Sequence, residues 1–151
     1  TVANIRPTSR GEISISSSDT KVNPKIKMNY LSTDEDRKVA ADGIKLIRKI
    51  VMETNEFKKY EPEEFRPGSH LNDKEEIVKA CSHYAQTIFH PVGTCKMGND
   101  DSAVVSDKLK VHGLNKLRVI DASIMPNITS GNTNAPTIMI AEKGADMILN
   151  P

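Results

Sequence analysis

The residue pattern changes character at one point, and that change constrains the fold more than any other feature of the chain. Up to Phe89 there are two amphipathic helical stripes, each opened by a capping signal; from His90-Pro91 onward, turn residues and short apolar runs replace them until a final apolar helix. Ser32 followed by Glu35 predicts the first helix start, and Val39, Ala40, Gly43, Ile47, Ile50 and Val51 recur at three- and four-residue spacing to about Met52, a stripe read as core. Asn72 with Glu75 repeats the signal, and Ile77, Val78, Cys81, Ala85 and Ile88 carry a second helix into Phe89 and His90.

Around these helices the chain is irregular. Residues 10–26 alternate, with Ile13 and Ile15 on one side, and predict a short hairpin or meander. Residues 55–71 are charged and broken by Pro62, Pro67 and Gly68, which reads as a solvated surface excursion. Beyond His90 the pattern predicts turns over 99–102, a short strand over 117–120, a loop over 126–136, and a helix over 137–149 bounded by Pro136 and Pro151.

Composition narrows the function classes. A net charge of +1, from 21 basic and 20 acidic residues spread along the chain, provides no field for nucleic acid or anionic lipid. No apolar stretch approaches the roughly 20 residues of a bilayer-spanning helix. The first ten residues have neither an apolar core nor an initiator Met, so they read as an internal part of something longer rather than a signal peptide. Two cysteines, Cys81 and Cys95, form one bridge or none and leave the redox compartment open.

Three places could carry chemistry. His90 is held between a helix and Pro91, with Gly93 allowing close backbone approach; taken alone it suits a capping or packing residue as well as a catalytic one. The loop Ser130-Gly131-Asn132-Thr133-Asn134-Ala135-Pro136 places small polar side chains and amides ahead of a helix, suited to an electron-rich ligand edge, or simply to a cap made by Asn134 or Thr137. Cys81, His83, His90 and Cys95 invite a zinc reading, which the lack of finger spacing and the divergent helical directions of Cys81 and His83 argue against. Asn127-Ile128-Thr129 fits a glycosylation pattern that carries weight only in a secreted protein, and localisation is otherwise not legible.

Three ordered blocks then make a resemblance specific. His90-Pro91-Val92-Gly93-Thr94-Cys95-Lys96-Met97-Gly98, Leu117-Arg118-Val119-Ile120-Asp121-Ala122-Ser123-Ile124-Met125-Pro126, and residues 130–146 resemble the closing blocks of glucose-methanol-choline (GMC) oxidoreductases. Pro7-Thr8-Ser9-Arg10-Gly11, the Asn29-Tyr30-Leu31 turn and the first helix resemble that family's substrate-domain elements. The form of residues 130–136 looks closest to insect glucose dehydrogenase-like members.

The resemblance implies an α+β fold. Residues 1–89 would form an antiparallel-sheet substrate-domain portion with helices, and residues 90–151 would return to complete an FAD-binding α/β domain. It implies FAD as cofactor, no metal, and a small alcohol or a sugar such as glucose as substrate, oxidised by proton abstraction with hydride passing to flavin N5. It implies His90 and Asn132 as the catalytic pair, and Asp121, Ala122, Thr133 and Asn134 as cofactor contacts, the first two toward the ribityl and phosphate region. The family's glycine-rich cofactor motif has no counterpart, since none of the eight glycines here makes GxGxxG. The chain by itself is therefore expected to bind FAD weakly or not at all and to need an N-terminal half as partner; the alternative is a non-catalytic binding module on the same fold.

Overall fold

The computed structural model describes residues 1–150 and divides into two units, Thr1–Ile88 and Phe89–Pro151. The class is α+β, as expected: one small antiparallel sheet, helices, and an irregular C-terminal unit closed by a helix.

In the first unit, β1 (Glu12–Ser14) pairs antiparallel with β2 (Lys25–Lys27), with Ile13 opposite Ile26. The hairpin is where the alternation predicts it, but Ile15 lies beyond β1 and no residue of either strand is buried. Two strands of three residues cannot close over an apolar face of their own.

Helix α1 (Asp34–Glu53) starts one residue later than the Ser32–Glu35 signal implies. Its cap is Thr33, whose hydroxyl accepts from the amide of Asp36. Three acidic residues, Asp34, Glu35 and Asp36, fill the first turn, where the helix dipole favours negative charge. The expected core stripe is only partly core: Ala41 is buried, Ala40, Gly43, Ile47 and Val51 are half-buried, and Val39 and Ile50 are exposed.

Helix α2 (Asn55–Lys58) is a single short turn of the surface excursion. That excursion is less solvated than its composition suggests. Arg48 on α1 holds Glu64 through Nε and Nη2 at 2.8 and 2.9 Å and donates to the carbonyls of Gly68 and Leu71. This arginine fork pulls the Glu64 carboxyl below the usual carboxylate range.

Helix α3 (Lys74–Tyr84) is capped by Asp73, not Asn72, because the Asp73 carboxylate reaches the amides of Glu75 and Glu76 while the Asn72 amide turns to the carbonyl of His70. It stops at Tyr84 rather than continuing to His90, and Phe89 stands in the left-handed region at φ 64°, which no right-handed helix passes through. Ile77 and Ala80 of α3 pack toward α1, where Ala41 is fully enclosed.

Asp36 is the pivotal polar group of this unit. It is 3% exposed and accepts from the amides of Thr8 and Ser9, the Thr8 hydroxyl and the Asn4 carboxamide. Burial pushes its carboxyl up, but the bonds from Ser9 and Thr8 outweigh that, and its pKa lies below the ordinary 3.8.

The second unit is built on Val105, Leu109, Ile124, Met125 and Ile140, with Val92, Met97, Val119, Ile120 and Met147 packed around them. The expected strand over 117–120 is absent. Arg118 makes only an isolated bridge with Lys110, and Lys116 sits at φ 61°, a kink that prevents an extended run from forming. Helix α4 (Asn134–Leu149) begins three residues before the expected Thr137 and takes Pro136 into its first turn, where a missing amide costs no intrahelical bond. Gly144 lies against Ile120 so closely that an added Cβ would come within 2.5 Å of Ile120 Cγ2. No helix among the described residues is long and apolar enough to cross a membrane.

Replacing Asp36 by Ala removes the buried acceptor of the bonds from Asn4, Thr8 and Ser9 and should lower unfolding free energy by about 2–3 kcal/mol, read as a reduced urea midpoint. Because the Asp36 carboxyl titrates lower when folded than its ordinary 3.8, its stabilising contribution is complete above that value and is lost as pH falls through the folded pKa. Asp36→Asn should therefore show a shallower loss of stability on acidification than the native chain.

Candidate active site

The segment that carries His90 is fixed by backbone bonds. Gly93 takes φ 86°, turning the chain so that Lys96 N–H reaches its carbonyl; Cys95 N–H then donates to Ser123 O at 3.0 Å and Met97 N–H to Ile124 O at 2.8 Å. Residues 90–98 thus run beside the single 3₁₀ turn Ala122–Ile124, and Val92 and Met97 anchor them to the core. That is why the first and second sequence blocks belong together.

The third block arrives through the loop after Pro126. Ser130 adopts φ 63°, and the chain then enters α4 through Thr133, which is 8% exposed. Thr133 is the cap residue of α4, yet its side chain makes no capping bond. A capping hydroxyl accepts from the second or third helical amide, and the third position here is Pro136, which has none. Its carbonyl accepts from both the amide and the hydroxyl of Thr137, while its hydroxyl meets Nδ1 of His90 at 2.9 Å. His90 is half-buried, and no hydrogen bond to its Nε2 occurs among the described residues. Asn132 and Asn134, both exposed, flank Thr133.

His90 and the 130–136 loop, forty residues apart in the chain, are therefore one site. Ala122 opens the 3₁₀ turn that the His90 segment borders, and Asp121 caps it. The Asp121 carboxylate is exposed and fixed by the amide and hydroxyl of Ser123, and Ala122 packs on the core. Sequence reasoning missed the role of the Thr133 side chain toward His90, since the resemblance gave Thr133 only as a cofactor contact. The available signal was a threonine three residues before a proline at a helix start, and it was hidden because Pro136 was read as lying outside the helix.

The sequence and fold have relatives. Residues 7–141 match the family described as GMC oxidoreductase. The chain is 45% identical over 147 residues to the oxygen-dependent choline dehydrogenase of Pseudomonas fluorescens (strain Pf0-1), covering 97% of this chain and 26% of that protein. It is 46% identical over 148 residues to an alcohol dehydrogenase [acceptor] of Pseudomonas putida, covering 98% and 27%. Among solved structures, pyridoxine 4-oxidase from Mesorbium loti matches with a TM-score of 0.90 at 35% identity, over 97% of this chain and 28% of that one. An FAD-dependent oxidoreductase from Chaetomium thermophilum matches with a TM-score of 0.88 at 30% identity, over 95% and 25%. The chain spans about a quarter of the length of the relatives it matches.

Gly93→Ala tests the backbone that carries His90. Forcing a side chain into the left-handed region costs roughly 1–2 kcal/mol, and thermal unfolding should register the loss, whereas the same change at Gly131, which has open space around it and no positive φ, should be near neutral.

Proposed function

The chain belongs to the GMC oxidoreductase family, and we propose that it is the catalytic C-terminal part of a longer FAD-dependent enzyme that oxidises an alcohol at its CH–OH carbon. Residues 1–89 belong on this reading to the substrate-binding portion, and residues 90–151 return to the FAD-binding domain. The observation that carries it is the pairing of His90 with Thr133: the imidazole is fixed through Nδ1 at a helix start whose cap residue makes no side-chain capping bond, and its Nε2 has no hydrogen bond among the described residues.

The residues present fit a flavin. With the Thr133 hydroxyl committed to His90 it makes no capping bond to α4, and on this reading the first-turn amides of Asn134 and Ala135 serve an electron-rich carbonyl edge. A 16-residue helix directs its positive dipole end to that point, which favours accumulating negative charge. The Asp121 carboxylate, held by Ser123, is a fixed acceptor for a ribityl hydroxyl, and Ala122 contributes backbone beside it. FAD, when bound, supplies the acceptor for the hydride that leaves the carbinol carbon.

The protein's own contribution is proton and charge management. An alcohol hydroxyl is too weak an acid to ionise freely at neutral pH, so His90 Nε2 takes its proton and leaves as imidazolium. The exposed carboxamide of Asn132 donates a hydrogen bond to the developing alkoxide, which requires no proton exchange. The similarity to proteins named choline dehydrogenase and alcohol dehydrogenase supports a small alcohol as substrate, with a sugar such as glucose as the other candidate.

Anaerobic addition of choline, simple primary alcohols and glucose to the full-length protein should bleach its flavin absorbance with a member of one of these classes; a protein that neither contains nor takes up FAD would overturn the reading. In that assay His90→Ala should slow flavin reduction about 10²–10⁴-fold, and Asn132→Ala about 10²–10³-fold.

A further inference from the structure

We infer that Thr133 is a positioning residue that accepts a hydrogen bond from Nδ1–H of His90 and so fixes the imidazole in the tautomer whose Nε2 lone pair is open. The inference rests on the proposed function of His90 and extends it to a side chain that otherwise reads as a helix cap.

The 2.9 Å contact permits two directions of donation. If the Thr133 hydroxyl donated, Nδ1 would be the lone-pair nitrogen and Nε2 would carry the proton, leaving no base on the open side of the ring. If Nδ1–H donates, Nε2 is the base. Only the second arrangement survives proton uptake: the imidazolium carries hydrogens on both nitrogens, so a donating hydroxyl would have to turn away, whereas an accepting one keeps its bond and gains strength from the ring's charge.

The local chemistry leaves the hydroxyl free for this task. Pro136 removes one of the two amides that a cap hydroxyl at Thr133 could take, the hydroxyl makes no bond to the other, and the backbone of Thr133 is helical (φ −90°, ψ −3°) rather than extended as at a conventional cap. Thr137 engages the Thr133 carbonyl and not its hydroxyl. The side chain is nearly enclosed, so it cannot rotate into solvent for another partner. Thr133 is thus joined to the helix whose amino end it opens and to the base that works beside it.

The test uses the full-length, FAD-loaded protein with Thr133→Val, Thr133→Ser and His90→Gln variants. Thr133→Val, which keeps the shape and removes the acceptor, should slow flavin reduction by roughly 10-fold or more with little change in apparent substrate affinity, on the scale of one lost charge-assisted bond. Thr133→Ser restores the hydroxyl and should return the rate to within about threefold. An independent readout is ¹⁵N NMR of protein labelled at histidine ring nitrogens, with the His90 signals assigned by their loss in His90→Gln. The native protein should show the proton on Nδ1, and Thr133→Val should shift His90 toward a tautomer mixture.

A proton on Nε2 in the native protein, or Thr133→Val at full rate, overturns the assignment to Thr133. If Thr133→Val folds poorly or loses FAD, the native ¹⁵N spectrum decides alone. His90→Gln at full rate overturns the base assignment itself, whereas His90→Gln inactive with Thr133→Val unimpaired removes only Thr133.

Discussion

A helix whose third residue is proline has one amide fewer for its cap to satisfy, and at the start of α4 that single missing N–H organises the site. A hydroxyl at the cap position ordinarily turns inward to the helix. At Thr133 it meets His90 instead, and makes no capping bond to the helix. The His90 imidazole, the start of α4 and the Asn132 carboxamide are consequently neighbours of one residue and not three separate features.

The scaffold that holds this arrangement is mostly irregular. Few regular backbone ladders cross the second unit; instead the His90 segment, the 3₁₀ turn and the stretch around Val105 and Val111 exchange single bonds and isolated bridges over a small aliphatic core. Such a unit depends on local geometry at positions such as Gly93 and Gly144, where a side chain would strain the backbone or strike a neighbour. The first unit works differently. Its helices are conventional, and its distinctive group is the Asp36 carboxylate, which gathers the amides of residues 8 and 9 and ties the N-terminal segment to α1.

Both units leave large apolar side chains in the open, among them Ile15 and Phe65 in the first and Ile138, Met139 and Leu149 on α4 in the second. Helix α4 has a charged side formed by Glu142, Lys143 and Asp146, encloses Ile140 and Gly144, and leaves Ile138, Met139, Ile148 and Leu149 exposed.

The sequence by itself determined the elements with strong local signals: the hairpin, the two long helices of the first unit, the closing helix, and the three blocks that carry the family resemblance. Those signals act over three or four residues, so capping and periodicity reveal them. It misplaced the end of α3 and the start of α4 and supplied a strand over 117–120, because an extended Ala85, a tolerated Pro136 and a kinked Lys116 are decided by neighbours and not by propensity. It read Val39 and Ile50 as core, since periodicity reports which face is apolar and not whether anything covers it. Only the tertiary structure decided that His90 meets Thr133. A hydrogen bond spanning 43 residues depends on how two loops are carried by a common core, and no spacing rule along the chain encodes that distance.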